Sequence, residues 1–448
     1  MSLSDPYSVQ PFTGPVSGSV TVPGSKSITN RALILAALSE NEVTLNNALF
    51  SEDTEIMVNA LRLLGFDVET DQSISQIKVK GRGGEIPVKQ AELFVGNSGT
   101  SARFLTALCA LGKGSVYRID GVEQMRKRPI KGLIDALESI GAKITSSNGF
   151  FPLTIDSRGL SGGNITIDAS QSSLMVSALL MVAPYADENI SLTLNEPSLR
   201  RAYIDLTLRM MEQFGQPTLQ QPSSEATYQI PKGTTYHTTT PTYTVEPDAS
   251  AASYFLALPA IIGGDLTIRQ LSLASLQGDI GFTQMISLTG CQITESPEGV
   301  TSSFPVNDLP AQGLDQNFFR ITDTFLTLAA ISPLLKGETQ IQGIAHTRHQ
   351  ECDRVSAMTH ELTRIGQNVL EEENAITVTP APLQSAEIET YHDHRVAMSF
   401  GILGSYDLMK NGGSWLKIKD PLCCAKTFPT FFETLENLRQ QSLNQQSP

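Results

Sequence analysis

At 448 residues, 40% hydrophobic and 17% charged, the chain is too long for one ordinary core and too apolar for disorder, so two or three domains are expected. Its 46 acidic against 32 basic side chains leave a net charge of -14, which argues against a nucleic-acid partner but allows a small anion in a local cationic pocket. No apolar run reaches the roughly 20 residues that span a bilayer, the opening MSLSDPYSVQPFTG has no signal-peptide pattern, and five scattered cysteines without metal-ligand spacing suit reduced thiols, so a cytoplasmic protein without a membrane partner is expected.

The first element begins in VPGSKSITNRALILAALSE (Val22 to Glu40), where a glycine and serines precede an almost unbroken run of Ala, Leu and Ile. The spacing predicts a buried helix with Lys26, Ser27 and Arg31 at its start. A helix N-terminus already favours anions through unpaired N–H groups and a partial positive charge, and two cations add to that. The same plan recurs along the chain. NSGTSARFLTALCAL, SQSSLMVSALLMVA, DASAASYFLALPAI, TDTFLTLAAISPLL and HDHRVAMSFGILG each lead from small or polar residues into an apolar helix. The starts, near Lys26, Asn97, Ser170, Asp248, Asp323 and Asp393, mark six repeated supersecondary units.

Each of these helices is followed by a short strand-like run, in chain order EVTLNNA, SVYRIDG, NISLTLNE, DLTIRQL, ETQIQGI and SWLKIKD. A second, amphipathic helix comes next, as in EDTEIMVNALRLLGF and DRVSAMTHELTRIG, and in most units it stops at glycine. Six units suggest two domains of three. The Pro-, Thr- and Gln-rich stretch from Gln216 to Tyr243 is the expected place for the change of domain.

Cations gather at equivalent points of the repeat. The second unit has GNSGTSAR, in which Gly99 permits close approach to a ligand, and then MRKRPIKG, where Arg128 precedes Pro129 at a helix start. The fifth has HTRHQECDR with Arg354, the sixth YHDHR with Arg395 and then CCAKTFP with Lys426. Arginine suits two-pronged contact with phosphate or carboxylate. Among the acids, Asp323 opens an apolar helix, where it serves either as an N-cap or as a proton carrier. Glu351, among Arg348, Cys352 and Arg354, is either a proton carrier or one member of an ion-pair network. His346, His349, His392, His394 and Asp393 raise a metal site as a rival, but three interleaved arginines would repel a dication, so no metal is expected. The GSKS segment lacks the order of a phosphate-binding P-loop.

These motifs together resemble one family over essentially the whole chain. PGSKSITNRALILAAL, GNSGTSARFL, RPI, SALLMVAP, YIDLTL, DASAASYFLA, QGDI, ECDR, DHRVAM and AKTFP are similar to the EPSP synthases (3-phosphoshikimate 1-carboxyvinyltransferases), which are enolpyruvyl transferases. The resemblance implies an α/β fold of two inside-out α/β barrels, each of three βαβαββ repeats. Residues 24–243 would form the first domain, mainly the shikimate 3-phosphate side. Residues 1–23 and 244–448 would form the second, with the active site in the cleft between them. The implied reaction moves the enolpyruvyl group of phosphoenolpyruvate to the 5-hydroxyl of shikimate 3-phosphate and releases phosphate, by addition and elimination, with no metal and no organic cofactor.

The resemblance also carries residue roles. Lys26, Ser27, Arg31, Ser172, Ser173, Arg200, Tyr203, Asp323 and Gln350 would hold shikimate 3-phosphate. Lys26, Asn97, Gly99, Arg128, Arg354, Arg395 and Lys426 would surround phosphoenolpyruvate. Asp323 would take the proton of the attacking hydroxyl, and Glu351, with His394 and Lys26, would move the proton of the methylene carbon. Glyphosate is the implied inhibitor and a monomer the implied state. The chain departs from the family at Leu174, where a glutamine is usual after two small residues, at Gln350, where lysine is common, and at His346, where asparagine is common. Two alternatives stand beside this reading. One is a non-catalytic binder of shikimate-like anions; the other is the sister transferase acting on a UDP-N-acetylglucosamine, whose reactive loop cysteine is missing from DGVEQMRKRPIKG.

Overall fold

The computed structural model describes residues 3–168, 172–195, 201–217, 219 and 227–446. Six helices follow the apolar runs: Lys26–Leu38, Gly99–Ala110, Ser173–Val182, Ala249–Leu256, Phe325–Ile331 and His394–Gly404. Five begin at a serine or aspartate whose side chain accepts from a backbone N–H of the first turn, namely Ser25, Ser98, Ser172, Asp248 and Asp393. Each such cap is worth about 1 kcal/mol. Phe325–Ile331 differs: it grows out of a 3₁₀ turn, Thr322–Thr324, and no side chain caps it. Asp323 therefore sits inside that turn and is no N-cap.

These helices have almost no polar face. Every residue of Gly99–Ala110 is buried, as is Ile28–Leu38 of the first helix, and a helix apolar all round must lie at a centre. Gly99–Ala110 packs against both Lys26–Leu38 and Ser173–Val182, while His394–Gly404 packs against both Ala249–Leu256 and Phe325–Ile331. Two bundles of three result, one in each of two compact units, residues 24–245 and residues 1–23 with 246–448. The second helices, such as Glu52–Leu63 and Arg354–Arg364, bury only one stripe.

Among the described residues six small sheets complete the units, four of four strands and two of three, around one shared pattern. The strand after each central helix has one parallel neighbour and one antiparallel neighbour. Lys113–Asp120, for example, runs parallel to Gln90–Phe94 and antiparallel to Phe150–Arg158. Three sheets draw a strand from far away in sequence. Val16–Val20 lies parallel to Gly264–Arg269, and Tyr7–Ser8 antiparallel to Leu416–Ile418. Thr242–Thr244 lies parallel to Glu42–Asn46. The polar stretch before Tyr243 is thus more than a connection, for it also contains Thr227–Ile230, paired with Ile190–Leu194. Among the described residues no helix is long and apolar enough to cross a membrane.

Candidate active site

In the unit of residues 24–245 the central helices bring their first turns together, and cations stand there. Arg31, one turn into its helix, is completely buried. It donates from Nε to Thr207 Oγ1 at 2.8 Å, from Nη1 to the Ser27 carbonyl at 3.0 Å, and from Nη2 to Ser177 Oγ at 3.3 Å and the Tyr203 carbonyl at 3.4 Å. The rings of Phe104 and Tyr203 lie 5.2 and 5.6 Å from its Cζ. All these partners are neutral, so burial pulls the Arg31 pKa down to about 10. Four contacts engage four of the five N–H groups of a guanidinium.

Arg103 is a second buried guanidinium with no carboxylate partner among the described residues. It donates to the Gly99 and Pro129 carbonyls at 3.3 and 2.7 Å, and its Nε has no partner. Burial, with the charge of Arg128 beside it, lowers its pKa to about 9. Arg128 Nη1 reaches the Asn97 carbonyl at 3.4 Å. A Cβ at Gly99 would lie 2.6 Å from Arg128 Nη2, so only glycine lets that guanidinium lie over the helix start. Lys26 Nζ, 3.2 Å from Asp53 Oδ2, is the cation here with a carboxylate beside it. Ser172 caps its helix by accepting from Leu174 N at 3.3 Å, and Ser173 is buried in the first turn. Arg200 lies outside the described residues.

The other unit is built the opposite way, with acids and cations interlocked. Arg354, the first residue of Arg354–Arg364, donates from Nε to Asp393 Oδ2 at 2.7 Å and from Nη1 to Asp323 Oδ1 at 3.0 Å. Its Nη2 donates to Glu351 Oε2 at 2.8 Å and to Asp393 Oδ1 at 3.4 Å, and Nη1 also donates to the Gln350 side-chain carbonyl. Burial by itself disfavours the charge of Arg354, and the carboxylates of Asp393, Glu351 and Asp323 more than reverse this, so its pKa is raised. Arg395 Nη2 lies 2.8 Å from Asp323 Oδ2, and Lys426 Nζ lies 3.1 Å from Glu351 Oε1. His394 is buried with Nδ1 3.5 Å from Asp393 Oδ1. His346 Nε2 is 2.9 Å from Thr322 Oγ1, next to Asp323.

Asp323, Gln350, Glu351, Arg354, Arg395 and Lys426 therefore form one contiguous network, and Lys26, Ser27, Arg31, Asn97, Gly99, Arg128 and Tyr203 stand at helix starts in the other unit. Several participants went unassigned in the sequence. Asp393 caps its helix, accepting from Arg395 N at 2.8 Å, while gripping Arg354. Its place before a cationic helix start was the available signal. Asp279, in QGDI, is buried with Ser250 Oγ donating to its Oδ2. Burial, reinforced by the charge of Asp323, pushes its pKa up to about 7. The acceptors Thr207 and Ser177 carry no sequence signal at all, since hydroxyls are common in apolar helices.

The family model for EPSP synthase (3-phosphoshikimate 1-carboxyvinyltransferase) matches residues 12–435. A 3-phosphoshikimate 1-carboxyvinyltransferase of Opitutus terrae is 49% identical over 449 aligned positions, covering 99% of this chain and all of the relative. One from Nostoc punctiforme is 42% identical and covers 98% and 100% of the two chains. The solved structure of an EPSP synthase from Acinetobacter baumannii superposes with a TM-score of 0.79 at 25% identity, over 97% of this chain and 98% of that one.

Proposed function

The chain belongs to the EPSP synthase (3-phosphoshikimate 1-carboxyvinyltransferase) family, and from that premise we propose how its own residues carry the reaction. It is an enzyme of the shikimate pathway that transfers the enolpyruvyl group of phosphoenolpyruvate to the 5-hydroxyl of shikimate 3-phosphate and releases phosphate. The observation that carries the assignment of roles is the convergence of Asp323 and Glu351 on one buried guanidinium, with Arg395 and Lys426 completing the pairs.

In this reading Asp323 takes the proton of the attacking hydroxyl as the new C–O bond forms at C2 of phosphoenolpyruvate. Glu351, with His394 and Lys26, delivers a proton to the C3 methylene, and Lys426 and Arg354 are both in contact with that carboxylate. A tetrahedral adduct results. Elimination then breaks the bond from C2 to the phosphate oxygen, C3 returns a proton to Glu351, and the double bond reforms. Fixed charges in a water-poor site are worth most where charge develops. Arg31 offers its remaining N–H to shikimate 3-phosphate, together with Lys26, Ser27, Ser172, Ser173, Tyr203, Arg200 and Gln350. Asn97, Gly99, Arg128, Arg354, Arg395 and Lys426 receive phosphoenolpyruvate. Every N–H of Arg354 already has an acceptor, so an incoming anion displaces Gln350 or Glu351, and that exchange frees the Glu351 carboxylate to act.

The same reading makes residues 24–245 mainly the shikimate 3-phosphate side, with no metal or organic cofactor needed. It makes glyphosate a competitor of phosphoenolpyruvate, and the protein a cytoplasmic monomer, which sedimentation with light scattering checks. The decisive measurement is phosphate release from phosphoenolpyruvate, with and without shikimate 3-phosphate, for the parent and Glu351→Gln. Release that needs both substrates and falls at least a hundredfold in Glu351→Gln is expected, since general acid–base groups contribute about 10²–10⁴. A folded parent that binds shikimate 3-phosphate and releases no phosphate would mark a binding protein instead.

A further inference from the structure

Glu361 is a carboxylate with no exposed side-chain surface, and the reaction leaves it without a task. It lies seven residues after Arg354, two turns along the same helix. Arg364 donates to it from Nε at 2.8 Å and Nη2 at 3.3 Å, Tyr391 OH donates at 2.8 Å, and the backbone N–H of Glu389 donates at 3.1 Å. A buried ion pair is weak support for stability, because an apolar side chain of the same volume often does as well. What such a group supplies is geometry, and here the geometry is that of the segment leading into Asp393, His394 and Arg395.

That segment turns sharply. Asp393 N donates to the Thr390 carbonyl at 2.8 Å, closing a four-residue turn whose two central residues, Tyr391 and His392, both have φ near +55°. Positive φ at both central positions is the pattern of type I′ turns, which favour asparagine and glycine. Tyrosine is a poor fit for it, so side-chain contacts help to hold the turn. His392 has one, from Nδ1 to Asp420 Oδ2 at 2.7 Å, but its side chain is 89% exposed, and exposed pairs contribute little. Tyr391 has the other, to Glu361.

Immediately after the turn stands Asp393, which caps the His394–Gly404 helix and grips Arg354. Two ties therefore join the Arg354–Arg364 helix to the 389–395 segment, Arg354 to Asp393 at one end and Glu361 to Glu389 and Tyr391 two turns on. Two ties fix the angle where one would leave a pivot. We propose that Glu361 is a positioning residue which, through Tyr391, holds the 390–393 turn and so sets Asp393, His394 and Arg395 for phosphoenolpyruvate. The inference rests on the assignment of those residues to phosphoenolpyruvate above.

The test uses two single variants of the full chain that each remove one partner of the same carboxylate. Tyr391→Phe should raise KM for phosphoenolpyruvate fivefold or more, with KM for shikimate 3-phosphate within twofold of the parent. Arg364→Ala should lower the melting temperature at least as much and leave both KM values within twofold. A Tyr391→Phe enzyme with parental KM for phosphoenolpyruvate, or an Arg364→Ala enzyme with the same rise, overturns the proposal. The imidazole C–H resonances of His392 and His394 provide a readout that needs no turnover: they should shift in Tyr391→Phe and hold in Arg364→Ala. Unmoved resonances in Tyr391→Phe overturn the positioning role even if the parent releases no phosphate, an outcome that on its own counts against the function assigned above.

Discussion

Two arginines show opposite solutions to burying a guanidinium. Arg354 is surrounded by three carboxylates and its pKa rises against the pull of burial. Among the described residues Arg31 has hydroxyls, carbonyls and two aromatic rings around it, and its pKa falls to about 10. At neutral pH Arg31 still carries its charge with no carboxylate paired to it among the described residues, and an anion is the partner that relieves it. Arg31→Lys keeps the charge but cannot reach four acceptors from one nitrogen. Hydrogen bonds to charged groups are worth about 1.5–3 kcal/mol, so affinity for shikimate 3-phosphate by calorimetry should drop about ten- to a hundredfold. Unchanged affinity would place the phosphate elsewhere. Asp279 gives a pH signature at the same scale. Its folded pKa of about 7 against an ordinary 3.8 means that folding favours its neutral form. That contribution is full below about pH 4 and is lost as the pH rises to 7. Asp279→Asn is neutral throughout, so its urea midpoint should gain on the parent's between pH 4 and 7 and run parallel above. A constant difference across that range contradicts the assignment.

Helix starts are the elements that do the work, and they were the most legible part of the sequence. Ser25, Ser98, Asp248 and Asp393 cap where a small polar residue meets an apolar run, because capping and burial are local signals. Asp323 was harder to read. Its 3₁₀ turn is closed by backbone bonds, Ile321 N to the Phe318 carbonyl and Thr324 N to the Ile321 carbonyl, with no side-chain cap to announce it. The closing strands were not readable at all from pattern, since Thr242–Thr244 and Tyr7–Ser8 are two or three residues long and owe their pairing to an open sheet edge. The network around Arg354 was only half legible, because residues 323, 351 and 393 meet through tertiary structure, and spacing along the chain says nothing of that. The Gly99 start makes the sharpest element-scale prediction. A methyl there would lie 2.6 Å from Arg128 Nη2, so Gly99→Ala displaces the guanidinium, whatever alanine adds to helix propensity. KM for phosphoenolpyruvate should rise about tenfold or more, which equals roughly 1.4 kcal/mol, and the inhibition constant of glyphosate should rise with it. Glyphosate that inhibits the parent only far above KM for phosphoenolpyruvate would contradict the placement of both at Arg128.

At the scale of the whole chain, acids outnumber bases by 14, yet among the described residues of 24–245 the buried Arg31 and Arg103 have no carboxylate partner. The other unit pairs Arg354, Arg395 and Lys426 with acids of its own. The electrostatic cost of holding cations is therefore unequal, and so is the relief that an anionic ligand brings. Each unit also has its own three-helix centre and its own sheets, so unfolding need not be a single transition. A ligand that binds only the folded state stabilises it by about 2.7 kcal/mol at a hundred times Kd, and for a unit of this size, at about 2–4 °C per kcal/mol, that is roughly 5–11 °C. Shikimate 3-phosphate at that concentration should raise the melting of residues 24–245 by about this amount and that of the other unit less. Pulsed proteolysis during heating, with peptides assigned by mass, separates the two. Equal protection of both units would mean that shikimate 3-phosphate draws its binding energy as much from the paired cations as from Arg31, and the division of labour inferred from their partners would fall.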